Sequence, residues 1–138
     1  MPQRALILFA HGARDPNWAT PFKAVAQAVS ALQPDIGVGL AFLEFMSPDL
    51  PTAAAQAVAD GAVQVDVVPL FLGAGGHVRK DLPVILEGLR AAYPQVQFSL
   101  HPAIGEMSSV IQAMAQAAVS QTTQASPTSG GAAVQRSA

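Results

Sequence analysis

At 138 residues the chain is sized for one domain that buries its own core without staples. It is 51% hydrophobic and 12% charged with a formal net charge of −2, which argues against nucleic acid, since phosphate binding needs clustered Lys and Arg. Cysteine is absent, which excludes disulfides, thiolate metal sites, iron–sulfur ligation and cysteine nucleophiles.

The first predicted element is a strand in the run Ala5-Leu6-Ile7-Leu8-Phe9-Ala10, closed by His11. The run is too short and too evenly apolar for an amphipathic helix, so it reads as a strand buried on both faces. Arg4 before it imitates a signal peptide, but six apolar residues fall short of the h-region such a signal needs. No segment approaches the ~20 apolar residues of a membrane span. The expectation is a cytoplasmic protein with no membrane partner.

Asp15-Pro16 opens a helix, Pro being suited to a first turn whose N–H would be unpaired anyway. Trp18, Phe22, Val25, Val29 and Leu32 recur at steps of three and four, which predicts one apolar face, and Pro34-Asp35 stops the helix. A second strand is expected over residues 38–45. An alanine-rich helix then runs from Pro51 to Gly61, a natural residue just past a helix end. A third strand is expected over 65–72, again buried on both faces. The third helix is expected to start near Asp81, with Leu82, Ile85, Leu86 and Leu89 on one face. Residues 96–100 make a fourth strand, and Val110, Ile111, Met114 and Ala118 mark a last helix. The methionines and Trp18 read as core. The domain is expected to span residues 1–121, followed by a disordered tail, 122–138, rich in Thr, Ser, Gly, Ala and Gln.

Four strand–helix alternations with short connections predict an α/β protein: βαβ units and a parallel sheet between two helix layers. The pattern leaves strand order open. In a 2-1-3-4 order the first and third strands would be neighbours at the topological switch point, where ligands of open parallel sheets bind beyond the carboxyl ends of the strands.

Those two strands carry the unusual loops. His11-Gly12 follows the first, and Gly73-Ala74-Gly75-Gly76-His77 follows the third. Imidazoles delivered by two strands can converge on one ligand, and imidazole is the commonest metal-binding side chain. Gly12 permits a sharp turn and close approach of a large ligand. The glycine-rich loop lacks the dinucleotide fingerprint, because Val78 stands at the third glycine position, and there is no phosphate-binding lysine motif. It reads as a loop built for clearance and mobility. Of only seven basic residues, Arg14, Arg79 and Lys80 lie within three positions of His11 or His77, which suggests an anionic ligand. Glu44 ends an otherwise apolar strand, a costly place for a carboxylate unless it reaches the crevice as a base or metal-side acceptor, or pairs with an arginine such as Arg14. His101 closes the fourth strand at the sheet edge and is read as structural.

Together these segments resemble the small sirohydrochlorin cobaltochelatases, class II chelatases related to siroheme ferrochelatase. The resemblance rests on His11-Gly12 with Arg14-Asp15-Pro16, on Phe42-Leu43-Glu44, on Val68-Pro69-Leu70-Phe71-Leu72 with Gly75, His77-Val78 and Asp81-Leu82-Pro83, and more weakly on Gly105-Glu106. It covers residues 4–120 in order. It implies a three-layer chelatase-like sandwich with sheet order 2-1-3-4, a homodimer, and a divalent metal held by His11 and His77 beside the macrocycle. The metal (cobalt first, nickel or iron otherwise) is then a substrate, and no tightly bound cofactor is expected. The tetrapyrrole would meet Gly12, Gly75 and Gly76, its carboxylates paired with Arg14, Arg79 and Lys80. One departure is Ala13, where the family usually has serine, so a hydroxyl contact is missing; a histidine-rich tract is absent too.

Metal insertion suits the residue types on its own terms. It displaces two pyrrole protons, and neutral imidazoles serve both as bases and as ligands that release their ion. Two other readings use the same residues. A metal or tetrapyrrole carrier would bind without catalysing, and a histidine phosphatase would need an arginine where Ala10 stands.

Overall fold

The structure is a computed structural model describing residues 3–73 and 75–124, with the side chains of His77 and Gln124 outside that description. The described chain divides into two compact units, the first ending at Gly105 and the second beginning at Glu106. In the first, β1 (Arg4–Ala10), β2 (Gly37–Phe42), β3 (Gln64–Pro69) and β4 (Gln97–Leu100) form one parallel sheet of order β2-β1-β3-β4. The central strand β1 pairs Ala10 with Phe42 on one side and Phe9 with Pro69 on the other, so three carboxyl ends share one rim.

Alternation along the strands builds two layers of packing. Ala5, Ile7 and Phe9 join Val65, Val67 and Phe98 in the main core with α2 (Leu50–Ala59) and α3 (Gly76–Ala92), through Leu50, Ala54, Leu82, Leu86 and Leu89. On the opposite face Ala10 and Phe42 pack with Ala19 and Phe22 of α1 (Ala19–Leu32). Burying a leucine such as Leu50 or Leu86, both essentially inaccessible, contributes roughly 1.5–3 kcal/mol each. β3 departs from the expectation of burial on both faces. It alternates strictly, leaving Gln64, Asp66 and Val68 half-buried.

The face of α1 also differs from the periodicity reading. Ala19, Phe22, Ala26 and Val29, spaced three, four and three, turn toward the sheet, whereas Trp18, Val25 and Leu32 are exposed, Leu32 by 78%. Both stripes satisfy helical spacing. The structure turns inward the stripe that carries Ala19 and Ala26, two small residues that let the helix approach the sheet closely. Trp18 therefore leaves the core, and so do Met107 and Met114.

The helix ends are built as their sequences require. Asp49 caps α2 by accepting the Thr52 N–H at 2.9 Å. At the far end Gly61 takes φ 102°, and the amides of Gly61 and Ala62 return to the carbonyls of Val58 and Ala57, a Schellman closure. α3 begins one turn earlier than Pro83 and Asp81 suggest. Gly75 is its N-cap and the Arg79 N–H donates to the Gly75 carbonyl, so His77 lies in the first turn of a helix and not in a loop.

In the second unit α4 (Ser108–Gln124) runs three residues past the expected end of the domain. Thr122 and Thr123 hydroxyls bond back to the carbonyls of Val119 and Ser120. The rest of the expected tail, residues 125–138, lies outside the described residues. No helix among the described residues is long and apolar enough to cross a membrane.

Candidate functional site

The site is assembled from the loops that leave the carboxyl ends of β1, β2 and β3. β1 delivers His11, and β2 ends at Phe42, not at 45, because the chain folds back immediately. The Leu43 N–H donates to the Ala10 carbonyl and the Phe42 N–H to the Pro48 carbonyl. Glu44 thus sits in a turn beside β1. Its carboxylate faces His11, with Oε1 3.6 Å from Nδ1, while Oε2 accepts the Gly12 N–H at 3.3 Å. At 3.6 Å the pair is too long for a direct hydrogen bond and shorter than two ~2.0–2.2 Å metal–ligand bonds laid end to end. An ion bound to both groups at a bent angle matches that separation, and both side chains are accessible, 48% and 39% exposed.

Gly12 is required by this arrangement. A Cβ there would overlap the carbonyl oxygen of Glu44, so the close approach it permits is that of the Glu44 backbone, not of a large ligand. The same turn is strained. Phe45 holds φ 67°, and the Met46 N–H donates to the Glu44 carbonyl at 2.8 Å, a γ-turn centred on an aromatic residue. Such a conformation costs of order 1–3 kcal/mol and persists only where the surroundings enforce it.

Three aromatic side chains fix the rest of the rim. The ring of buried Phe71 stacks under His11 with centroids 4.4 Å apart and planes tilted 31°. The Trp18 indole N–H donates to the His11 carbonyl at 2.7 Å. The Arg14 guanidinium lies over the Phe45 ring, 5.1 Å from its centroid, so Arg14 is not the partner of Glu44. Sequence reasoning missed Trp18, Phe45 and Phe71 as site residues. Only the Met46-Ser47-Pro48 interruption after an apolar strand hinted that residue 45 had left the sheet.

Across the switch point the β3–α3 connection contrasts with this. Among the described residues, a Cβ at Gly73, Gly75 or Gly76 would meet no neighbour within 4 Å. The connection is buttressed from below at Gly105, whose N–H donates to the Phe71 carbonyl and whose missing Cβ makes room for the Leu72 backbone. α3 starts here without a side-chain cap, its N-terminal amides favouring negative charge. Arg79 and Lys80 follow in its first two turns. Topology brings His77 to the same rim as His11, but Ala74 and the His77 side chain lie outside the described residues, and so does the expected facing of the two imidazoles. Among the described residues no cluster of three metal-ligating side chains occurs.

His101 is held elsewhere. Its Nε2 lies 2.8 Å from Asp66 Oδ1 and its N–H donates to the Val67 carbonyl, tying the end of β4 to β3. Ala10, fully buried against Phe42 and Ala19, offers no cation beside His11 for a phosphate.

The CbiX family model matches residues 5–121. The chain belongs to that family. Among curated relatives, the sirohydrochlorin cobaltochelatase of Methanocaldococcus jannaschii is 37% identical over 84 residues, covering 59% of this chain and 57% of the relative. The chain thus spans a little over half the length of the curated relatives it matches. Among solved structures, the CbiX protein of Marinobacter aquaeolei VT8, assigned to cobalamin (vitamin B12) biosynthesis, superposes with a TM-score of 0.78 at 31% identity, over 88% of this chain and 99% of that one. The sirohydrochlorin chelatase SirB of Bacillus subtilis subspecies spizizenii, solved in complex with cobalt, gives a TM-score of 0.72 at 25% identity, over 83% of this chain and 49% of that one.

Proposed function

We propose that this protein inserts a divalent metal ion, cobalt foremost with nickel and iron as alternatives, into sirohydrochlorin or a closely related tetrapyrrole. The observation that carries this is the accessible His11–Glu44 pair at the switch point of a CbiX-family sheet. The relatives named for sirohydrochlorin chelation support the substrate class.

In this reading His11 and His77 hold the incoming ion, and Glu44 shares it or takes a proton. The ring loses two pyrrole N–H protons as the ion acquires four nitrogen donors. Glu44 and an imidazole that the departing ion has released would take up those two protons and pass them to water. A site with few protein ligands keeps the ion transferable, whereas a closed cage of four would trap it. Arg14, Arg79 and Lys80 meet the carboxylates of the ring, with the open backbone at Gly75 and Gly76 and the turn at Gly12 beside it. The metal is a substrate and no resident cofactor is needed. Because the chain matches half of SirB, a homodimer would supply the second lobe, and a cytoplasmic setting suits the chemistry.

Visible absorbance of sirohydrochlorin under anaerobic conditions, with Co²⁺, Ni²⁺ and Fe²⁺ supplied in turn, tests the proposal. Insertion faster than the uncatalysed reaction is expected, and its absence with all three ions overturns the reading. Calorimetry with Co²⁺ sharpens the assignment: His11→Ala and His77→Ala should nearly abolish binding, and His101→Ala should leave it in place.

A further inference from the structure

Large apolar side chains rarely gather in the open on a soluble domain without a partner. On the loops of this rim four stand exposed, one or two from each loop. Trp18 follows β1, Leu43 and Phe45 follow β2, and Leu72 follows β3, with Phe45 64% and Leu72 74% exposed. None is in the core.

Phe45 is the most telling. A left-handed backbone is a poor choice for an aromatic residue, and a glycine would adopt it freely. The turn nevertheless carries phenylalanine, and the conformation directs that ring outward while Glu44, one residue earlier, turns inward to His11. Arg14 covers the ring with its guanidinium, which leaves a positive charge at the edge of an aromatic surface.

We propose that Phe45, with Leu43 and Leu72, forms a stacking platform for a flat conjugated macrocycle carrying acidic substituents. Arg14 moves from the Phe45 ring to pair with one of its carboxylates. This inference rests on the function proposed above and adds to it the surface that orients the ring against the metal-bearing pair. The charge pattern selects the occupant. A purely apolar partner would leave Arg14 facing carbon, and a simple anion would leave Phe45 and Leu72 in water. A planar ring edged with carboxylates satisfies both.

The strain makes the test clean. Phe45→Gly relieves the backbone and removes the ring, so stability and binding should move in opposite directions. The probe is free-base uroporphyrin, followed by its visible absorption and by quenching of Trp18, the chain's one tryptophan. Phe45→Gly should keep or raise the melting temperature, leave Co²⁺ binding unchanged, and weaken the porphyrin by about five- to tenfold. Phe45→Trp should bind the porphyrin at least as tightly as the parent. Equal porphyrin affinity in the parent and Phe45→Gly overturns the platform while leaving the proposed function standing. Loss of Co²⁺ binding in Phe45→Gly also overturns it, since the residue would then be shaping the metal pair. A parent protein that neither binds the porphyrin nor metallates sirohydrochlorin removes both proposals together.

Discussion

The two sides of the switch point are built on opposite plans. Around β1 and β2, His11, Gly12, Glu44 and Phe45 are locked by a backbone contact that tolerates no extra atom, by a γ-turn and by a buried stacking ring. Around β3 and α3, three glycines have no neighbour among the described residues where a Cβ would stand. The first side holds reacting groups in register, which is where small displacements cost most. The second leaves room for something large to enter and leave. On the proposed function the site must both position an ion and admit a bulky ring, and this fold allots those two demands to different loops.

The largest test of that division is a pair of identical substitutions. Gly12→Ala forces a Cβ into the Glu44 carbonyl and should destabilise the domain by roughly 1–3 kcal/mol through overpacking. On the proposed function, metal insertion should fall by about a hundredfold as His11 and Glu44 separate. Gly73→Ala meets none of the described residues and carries no positive φ, so unfolding should show no loss, or a gain of about 0.4–1 kcal/mol from the stiffer unfolded chain. Denaturant midpoints and metallation rates of the two variants measure this. Equal costs at the two positions would erase the contrast.

A smaller effect separates placing from reacting within the locked side. Glu44→Gln keeps the shape and can still accept the Gly12 N–H, but removes the negative charge and the base. On the proposed function kcat should drop by about 10²-fold with KM for the ring nearly unchanged. Steady-state metallation at saturating ring decides it, and a parental kcat would make Glu44 a prop for the Gly12 turn and nothing more.

How far the sequence discloses this depends on whether a feature is local. The four apolar runs, Asp15-Pro16 at the head of the first helix and the closing Gly61 announce their elements directly, because composition and spacing act over a few residues. His11 and Glu44 were legible too, as polar residues at the ends of apolar strands. What resisted reading was set by contacts distant in sequence. Strand β2 stops early because Ala10 and Pro48 capture its last amides. Glu44 turns to His11 and not to Arg14 because Arg14 settles on Phe45. Phe71 is one apolar residue in an apolar run, and only the fold puts its ring under an imidazole. Asp66 is likewise an odd residue in β3 until His101 arrives from β4. The reverse error occurred on α1, where two stripes had equal helical spacing and only the sheet chose between them.

The smallest expected effect concerns the capped connection that leads out of the locked side. The Asp49 carboxyl is held below its ordinary value of 3.8 by its hydrogen bonds to Thr52, the side-chain bond first and the backbone bond second. A carboxylate whose folded pKa is lowered binds its proton more readily in the unfolded chain. Its contribution is therefore complete above the unfolded value and disappears as pH falls through the folded one. Asn is an equally good N-cap without a titrating charge, so Asp49→Asn isolates the ionic part. The melting temperature of the parent should exceed that of Asp49→Asn by a constant small margin from about pH 7 to 5, and the margin should shrink steadily below ~4. Because the group is fully exposed, added salt should reduce the margin as well. A margin that stays level down to pH 2 would mean that the cap acts by shape alone, and that the precision of this side of the site owes nothing to charge at its exit.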